Sequence, residues 1–497
     1  MSSILSALHV ASSTLAAFNQ AMVVTENNVA NASTPGYAEQ TQTFEALPFD
    51  PSGGMTGGVT AGQVVSARNQ FDEQAVWLQN SLLGQAQQQV NTLTNLQTNF
   101  DVTGSTGISK ALNDFYSSVT AWGQTPADPT ARQNVLDQAG EVALAFQSAA
   151  SGLAQVTNTT DTELQQTVGQ VNQLVSNLQD YNTQIQGGDR NDAGLEAQVY
   201  STLEQLSQYV NITATQQPDG SVNVLLDGQA PLLIGSHQYQ ISAQFTQPQT
   251  PAPTYPNGPP VVQILSSSGA DITTTITSGQ LGALVNLRNS ILPGYLGSAS
   301  QQGSLNGMAQ QFADTVNGIL ESGNISDAVP PDANGNGGSP AVTGVPLFVY
   351  GTNDDGSPNA TNVAQSLAVN PDITPSQLAA IAPGPPEVAN GIPLALAGLA
   401  TPQSAADEIN GMSFTQYYAN MAANVGTALQ NATNDQSVRQ SSLAQAQNLR
   451  QQQAGVSLDA EAMTLIEFQR AYEANSKLIT VLDQITADTI NILSATS

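Results

Sequence analysis

The sequence contains no cysteine, and that single absence removes disulfides, thiolate metal centres and a cysteine nucleophile together. Histidine is almost as scarce. His9 and His237 are the only two, and neither begins a His-Glu-x-x-His spacing. Basic residues are few as well: nine Lys and Arg stand against 38 Asp and Glu, a formal charge of −29, which argues against nucleic acid or an anionic membrane as partner. Charged residues make up only 9% of the chain, so most of the surface must be solvated by the amides and hydroxyls of Gln, Asn, Ser and Thr. Arg68 is the first basic residue and no apolar run approaches the roughly 18 residues of a membrane helix. Neither a conventional secretory signal nor a spanning segment is expected. There is no Gly-rich phosphate loop with its Lys, and no pair of acids spaced for acid/base work. Asp332, Asn334, Asn336 and Gly337 open like a calcium loop, but the closing position is Thr343 where a bidentate Glu is needed. No catalytic residue, cofactor or metal is expected, and the chain does not read as an enzyme.

What is present is length and helical periodicity. At about 150 residues per domain, 497 residues suggest about three domains. Ile4, Leu8, Ala11, Leu15, Phe18, Met22, Thr25 and Val29 recur at alternating steps of four and three, the seam of a helix made to pack against other helices. At 1.5 Å per residue such a helix is roughly 39 Å long before Pro35-Gly36 stops it. The other end mirrors it, with Ala471, Ala474, Leu478, Val481, Ile485 and Ile492 forming a second stripe. Chain ends are usually polar and frayed, so two amphipathic ends must find partners. Periodicity leaves open whether they pair with each other or with neighbouring copies.

Between Gln70 and Tyr209 the pattern is helical, with breaks at Thr103-Gly104, Pro126 to Pro129 and Gly187-Gly188. From Ile212 the period falls to two. Val222, Val224 and Leu226 alternate between the turn signals Asp219-Gly220 and Asp227-Gly228, which predicts a β-hairpin. Six prolines between Gln247 and Pro260 read as a loop. Helix is expected again over Leu281 to Ile291, Leu305 to Leu320 and from Ser413 to the end, with short β-like pieces such as Val345 to Tyr350 between.

Asn28-Val29-Ala30-Asn31-Ala32-Ser33-Thr34-Pro35-Gly36-Tyr37 resembles the signature of the bacterial flagellar rod, hook and hook-associated axial proteins. The run Gly455 to Asp459 with Met463, Leu465-Ile466, Phe468 to Tyr472 and Ala474 is similar to the partner signature near the end of those chains. Three internal segments resemble the hook-associated members, which form the junction between hook and filament: Pro126 to Gln133, Asp219 to Val224, and Leu281 to Tyr295.

The resemblance implies a mainly α fold with inserted β-rich parts. Residues 1–45 and 445–497 would form a coiled-coil-like terminal domain. Residues 46–245, 279–323 and 401–444 would form a helical middle domain with a β-hairpin, and 246–278 with 324–400 a variable outer region. It implies paired end helices around an export channel, and an assembly interface over Ile4, Leu8, Leu15, Phe18, Met22, Asn28, Val29, Asn31, Pro35, Gly36 and Tyr37 at one end and Leu465, Phe468, Tyr472, Leu478, Val481, Ile485 and Ile492 at the other. The expected partners are further copies in a ring or helix, the hook protein, the next hook-associated junction protein and an export chaperone. The expected location is outside the cell, after passage through a type III channel without a cleaved signal. A hook or rod subunit, or an extracellular adhesin-like module, are the remaining readings.

Overall fold

The computed structural model describes residues 2–50, 55–100, 105–188, 192–247, 253–327 and 338–495. In chain order the helices are α1 (Ser2–Asn31), α2 (Gln70–Gln97), α3 (Gly107–Gln124), α4 (Pro129–Gly187), α5 (Ala193–Tyr209), α6 (Gly279–Asn286), α7 (Leu292–Leu296), α8 (Ser304–Glu321), α9 (Val363–Ser366), α10 (Gly391–Gly398), α11 (Phe414–Ala454) and α12 (Leu458–Ala495). The strands are β1 (Gln40–Ala46), β2 (Phe49–Asp50), β3 (Met55–Thr56), β4 (Val59–Ser66), β5 (Ile212–Gln216), β6 (Val222–Leu226), β7 (Ala230–Ile234), β8 (His237–Gln238), β9 (Ser242–Thr246), β10 (Val261–Leu265), β11 (Asn324–Ser326), β12 (Val342–Thr343), β13 (Phe348–Val349) and β14 (Ala368–Val369). Helix dominates and the sheets are small, as the sequence patterns predict.

The chain divides into two compact units, 1–83 with 170–240 and 438–497, and 84–169 with 241–437. The first holds both chain ends. In it β5 to β8 form an antiparallel meander, and β6 buries Val222, Val224 and Leu226 on one face, the alternation expected of it. Asp227 and Gly228 both take positive φ in the connection to β7, which explains the Asp-Gly pair there.

The second unit is built on α3, the first part of α4, α8 and the first part of α11. Phe312 lies at the centre of an aromatic hub, with Phe115, Phe348 and Phe414 at ring-centroid distances of 5.8, 5.5 and 5.4 Å. The Pro126 to Gln133 segment works locally, since Trp122 Nε1 and Arg132 Nε both donate to the Pro126 carbonyl and close the turn from α3 to α4. Helix over Leu281 to Ile291 is interrupted by a wide turn at Leu287–Ile291, inside which buried Arg288 donates to Asp161 at 2.6 Å. The segment after residue 338, expected as part of an outer region, sends Leu347, Phe348, Val363, Leu367 and Leu378 into this core. The break expected at Thr103-Gly104, the first prolines of the Gln247 to Pro260 stretch and the calcium-like Asp332, Asn334, Asn336 and Gly337 lie outside the described residues.

Candidate assembly site at the joined chain ends

α1 and α12 run antiparallel within one chain: the Asn28 side chain meets Glu461, and Asn475 Nδ2 donates to the Ala11 carbonyl at 3.1 Å. Of the two partners that periodicity left open, the intramolecular one is therefore present. Asn28, 1% exposed, uses its whole amide. Nδ2 donates to the Gln40 carbonyl (2.8 Å) and Glu461 Oε1 (2.9 Å), while Oδ1 accepts from the Gln40 N–H (3.0 Å) and the Tyr37 hydroxyl (2.8 Å). A buried amide with every valence met fixes one arrangement of its neighbours, because any slip leaves a polar group unpaired.

The Thr34 to Tyr37 element is held by the same logic. The Asn31 carbonyl accepts from the Thr34 N–H and the Thr34 carbonyl from the Tyr37 N–H, two turns in succession. Gly36 has φ +76°, and a Cβ there would sit 2.3 Å from the Ala197 carbonyl of α5. Only glycine fits. Its carbonyl accepts from Arg68 Nη2 at 2.6 Å, and Arg68 also pairs with Glu73 and Glu196 and stacks 3.8 Å from the Tyr200 ring centroid. Arg450 extends the network to Glu73 (3.1 Å) and Glu204 (2.8 Å). Two of the chain's nine basic residues thus tie the exit of α1 to α2, α5 and α11. Tyr37 is anchored through its hydroxyl, and burial, with Glu196, Glu461 and Glu39 nearby, pushes its pKa up to about 12. Burial, then the Glu461 charge, also raises the Glu39 carboxyl.

The buried face of α1 coincides with the expected seam at Ala11 and Thr25 and departs from it elsewhere. Ala11, Ala17, Ala21, Thr25 and Asn28 are the buried positions, while Ile4, Leu8, Leu15, Phe18 and Met22 are half-buried, Val29 is exposed and Asn31 lies at the edge with its side chain on the Asn27 carbonyl. The cause is the β1–β4 hairpin, which packs on α1 beside α12; Gly58 approaches so closely that a Cβ would lie 2.6 Å from Val10 Cγ1. Small side chains on that face let strand and helix approach. Phe18, Phe468 and hairpin Phe44 form a triangle with centroids 5.9 to 6.2 Å apart, so those two seam residues meet within the chain. The hairpin was missed in the sequence. Its signal was the polar/β-branched alternation of Gln40 to Thr43 and the β-branched Val59, Thr60, Val64 and Val65.

α12 is apolar on two opposite faces. Leu465, Phe468, Tyr472, Ile479 and Leu482 turn toward α1 and are half-buried. Leu478, Val481, Ile485 and Ile492, the stripe read from the sequence, point away and are 50, 54, 44 and 67% exposed. One face is used inside the chain and the other is exposed. His9 is exposed on α1, and His237 packs edge-on to Tyr239.

A family model described as "Flagellar hook-associated protein FlgK helical domain" covers 93–340, "Flagella basal body rod protein" covers 8–37, and "Flagellar basal body rod FlgEFG protein C-terminal" covers 450–492. The flagellar hook-associated protein 1 of Bacillus subtilis (strain 168) is 27% identical over 99% of both chains. That of Escherichia coli (strain K12) is 22% identical over 97% of this chain and 98% of its own. The flagellar hook junction protein FlgK from Burkholderia pseudomallei shares the fold at a TM-score of 0.62, with 15% identity over 77% of this chain and 100% of that one.

Proposed function

Because this chain belongs to the family of flagellar hook-associated proteins, structural components of the bacterial flagellum, we propose that it forms the hook–filament junction by self-assembly through its joined ends. The observation that carries this reading is the second apolar face of α12. Each large apolar side chain taken fully from water contributes roughly 1.5 to 3 kcal/mol before ordering entropy is subtracted, so four partly exposed residues in one stripe supply a driving force for bringing neighbouring copies together. The interface consists of that stripe with the exposed residues of α1. The asparagines, Pro35, Gly36 and Tyr37 set its geometry. The hook protein is met at one end of the stack and the next hook-associated junction protein at the other. Without disulfides the chain can cross a type III channel unfolded, escorted to it by an export chaperone, and fold outside the cell.

The test is a strain lacking the gene. It is expected to keep hooks, lose filaments and release flagellin into the medium, with filaments restored by the wild-type gene. Filaments of normal number and length in the deletion strain would overturn the proposal.

A further inference from the structure

The first unit carries a polar cleft of about 370 Å³ that the self-assembly reading does not use. Its walls come from β4, the first turns of α5, the end of α4 at Ile185 and the β5–β6 hairpin at Gln216 and Val222. Gln63, Val64, Val65 and Ser66 line it in succession. A strand that turns a face to a cavity presents every second residue, so four in a row mean that β4 presents its edge.

That edge has no partner. β4 pairs with β1 alone, and the Ala67 N–H donates to the Glu39 carbonyl at 2.8 Å. Main-chain groups alternate between the two sides of a strand, so Val65 faces β1 as Ala67 does, while the N–H and C=O of Val64 and Ser66 face away. No hydrogen bond reaches them among the described residues. The opposite edge of the hairpin shows what is missing: at Gln40 of β1 the Asn28 side-chain amide accepts from the N–H and donates to the C=O, standing in for a neighbouring strand. β5 also lies at the edge of its sheet, but Gln70 Nε2 donates to its Ala214 carbonyl at 3.2 Å and caps it in part.

A second unpaired group reaches the same cleft. Tyr200 is 7% exposed, and its ring lies between the Arg68 guanidinium, 3.8 Å from the centroid, and the Trp77 ring, stacked at 6.1 Å. With both faces covered, the part of Tyr200 that lines the cleft is its hydroxyl, which makes no hydrogen bond among the described residues. Burial pushes its pKa up to about 12, so it stays a neutral donor. The side-chain amides of Gln63 and Gln216 are also without partners among the described residues. The charged groups of the lining are Arg68, Asp192 and Glu196, and all are engaged: Arg68 with Glu73 and Glu196, and Asp192 with the Gly194 and Leu195 N–H groups at the start of α5. An ionic ligand finds no free countercharge. What is left unsatisfied is neutral and amide-like, and on β4 it recurs at every second residue, the spacing at which another main chain offers its own groups. Ile185, Val199 and Val222 add a small apolar surface for side chains.

We propose that this cleft binds a short, extended, uncharged peptide segment, which adds as a strand to Val64 and Ser66 of β4 and takes a hydrogen bond from the Tyr200 hydroxyl. The site stands independently of self-assembly through α12.

The probe is acetyl-Ser-Val-Thr-Val-Ser-amide, added to the purified full-length chain. Its control carries methyl groups on the three central amide nitrogens, which keeps the side chains and prevents strand pairing. Hydrogen exchange at the Val64 and Ser66 amides is the readout, since both are unpaired in the free chain. Saturating probe is expected to slow it about tenfold, and the control to leave it unchanged. Val64→Pro removes one outward N–H and none of the bonds to β1, a change that edge strands tolerate. Tyr200→Phe removes only the hydroxyl. Read at the Ser66 amide, probe affinity is expected to fall about tenfold in the first and about threefold in the second, with the circular dichroism spectrum of wild type. No slowing by the probe, equal slowing by the methylated control, or either folded variant binding like wild type would overturn the proposal; equal slowing would mean that the cleft reads side chains and not main chain. If Val64→Pro does not fold, Tyr200→Phe decides alone.

Discussion

The core of the second unit and the seam between α1 and α12 are both helical, yet they are packed from different material. The first buries Phe115, Phe146, Phe312, Phe348 and Phe414 almost completely. The second buries Ala17, Ala21 and Thr25 and leaves Leu15, Phe18 and Met22 half out. Burial free energy scales with apolar area, so the aromatic core can support its helices alone while the alanine seam contributes little per turn. The polar network at Asn28 and Arg68 then supplies the geometry that the small seam residues do not fix by packing. One region is finished inside the chain, whereas the other leaves its larger apolar side chains half out or exposed.

The largest effect should separate the two regions directly. Phe312→Ala is expected to destabilise the second unit by about 3–5 kcal/mol, whereas Phe18→Ala should cost the first unit roughly 1–2 kcal/mol because the ring is already half in water. Trp122 and Trp77 lie one in each unit, so denaturant unfolding followed in Trp77→Phe and Trp122→Phe backgrounds reads each separately. Equal losses would break the comparison. Gly36→Ala comes next, at about 1–2 kcal/mol from the left-handed backbone alone and more from the clash with the Ala197 carbonyl, read as a lower unfolding midpoint of the first unit.

Val481→Asp should change the stability of the isolated chain by less than about 0.5 kcal/mol, since the side chain is exposed, but it should abolish filament growth when it replaces the wild-type gene. Normal filaments from that variant would show the outer face of α12 to be idle. The smallest effect concerns Glu39. Its folded pKa lies above the ordinary 4.5, so the folded chain binds this proton more tightly than the unfolded one, and stability falls as pH rises through the raised value. Glu39→Gln should therefore be slightly more stable than wild type near pH 7, with the difference shrinking as acidification neutralises the Glu39 carboxyl. A difference that grew on acidification would contradict the burial and Glu461 charge assigned as the cause.

The helices were legible because their apolar residues recur at the helical period over many turns, and the breaks at Pro126 to Pro129 and Gly187-Gly188 carry proline and paired glycine, which disfavour continuing a helix. The β5–β6 pair was legible through alternation and its Asp-Gly turns. The β1–β4 hairpin was not: its strands expose Phe44 and Val65, bury the polar Gln40 and Gln42, and so lack the apolar alternation by which a half-buried strand is recognised. Without the hairpin the α1 seam was drawn through Ile4, Leu8, Leu15, Phe18, Met22 and Val29 along with Ala11 and Thr25, whereas the buried positions are Ala11, Ala17, Ala21, Thr25 and Asn28, small enough to let a strand come close. The Gly36 turn could be read as a terminator, but its docking on α5 depends on Ala197, distant in sequence. The network joining Arg68, Glu73, Glu196, Glu204 and Arg450 spans nearly 400 residues of chain and has no local signature.

By itself the sequence determined that both extremities are amphipathic rods, that no thiol or metal chemistry joins them through cysteine, and where the chain must turn, because periodicity and backbone restriction are properties of neighbouring residues. Only the tertiary structure decided which face of each rod is consumed within the molecule and which remains open. That choice depends on how closely elements far apart in the chain can approach, and it is settled by small residues at the points of contact.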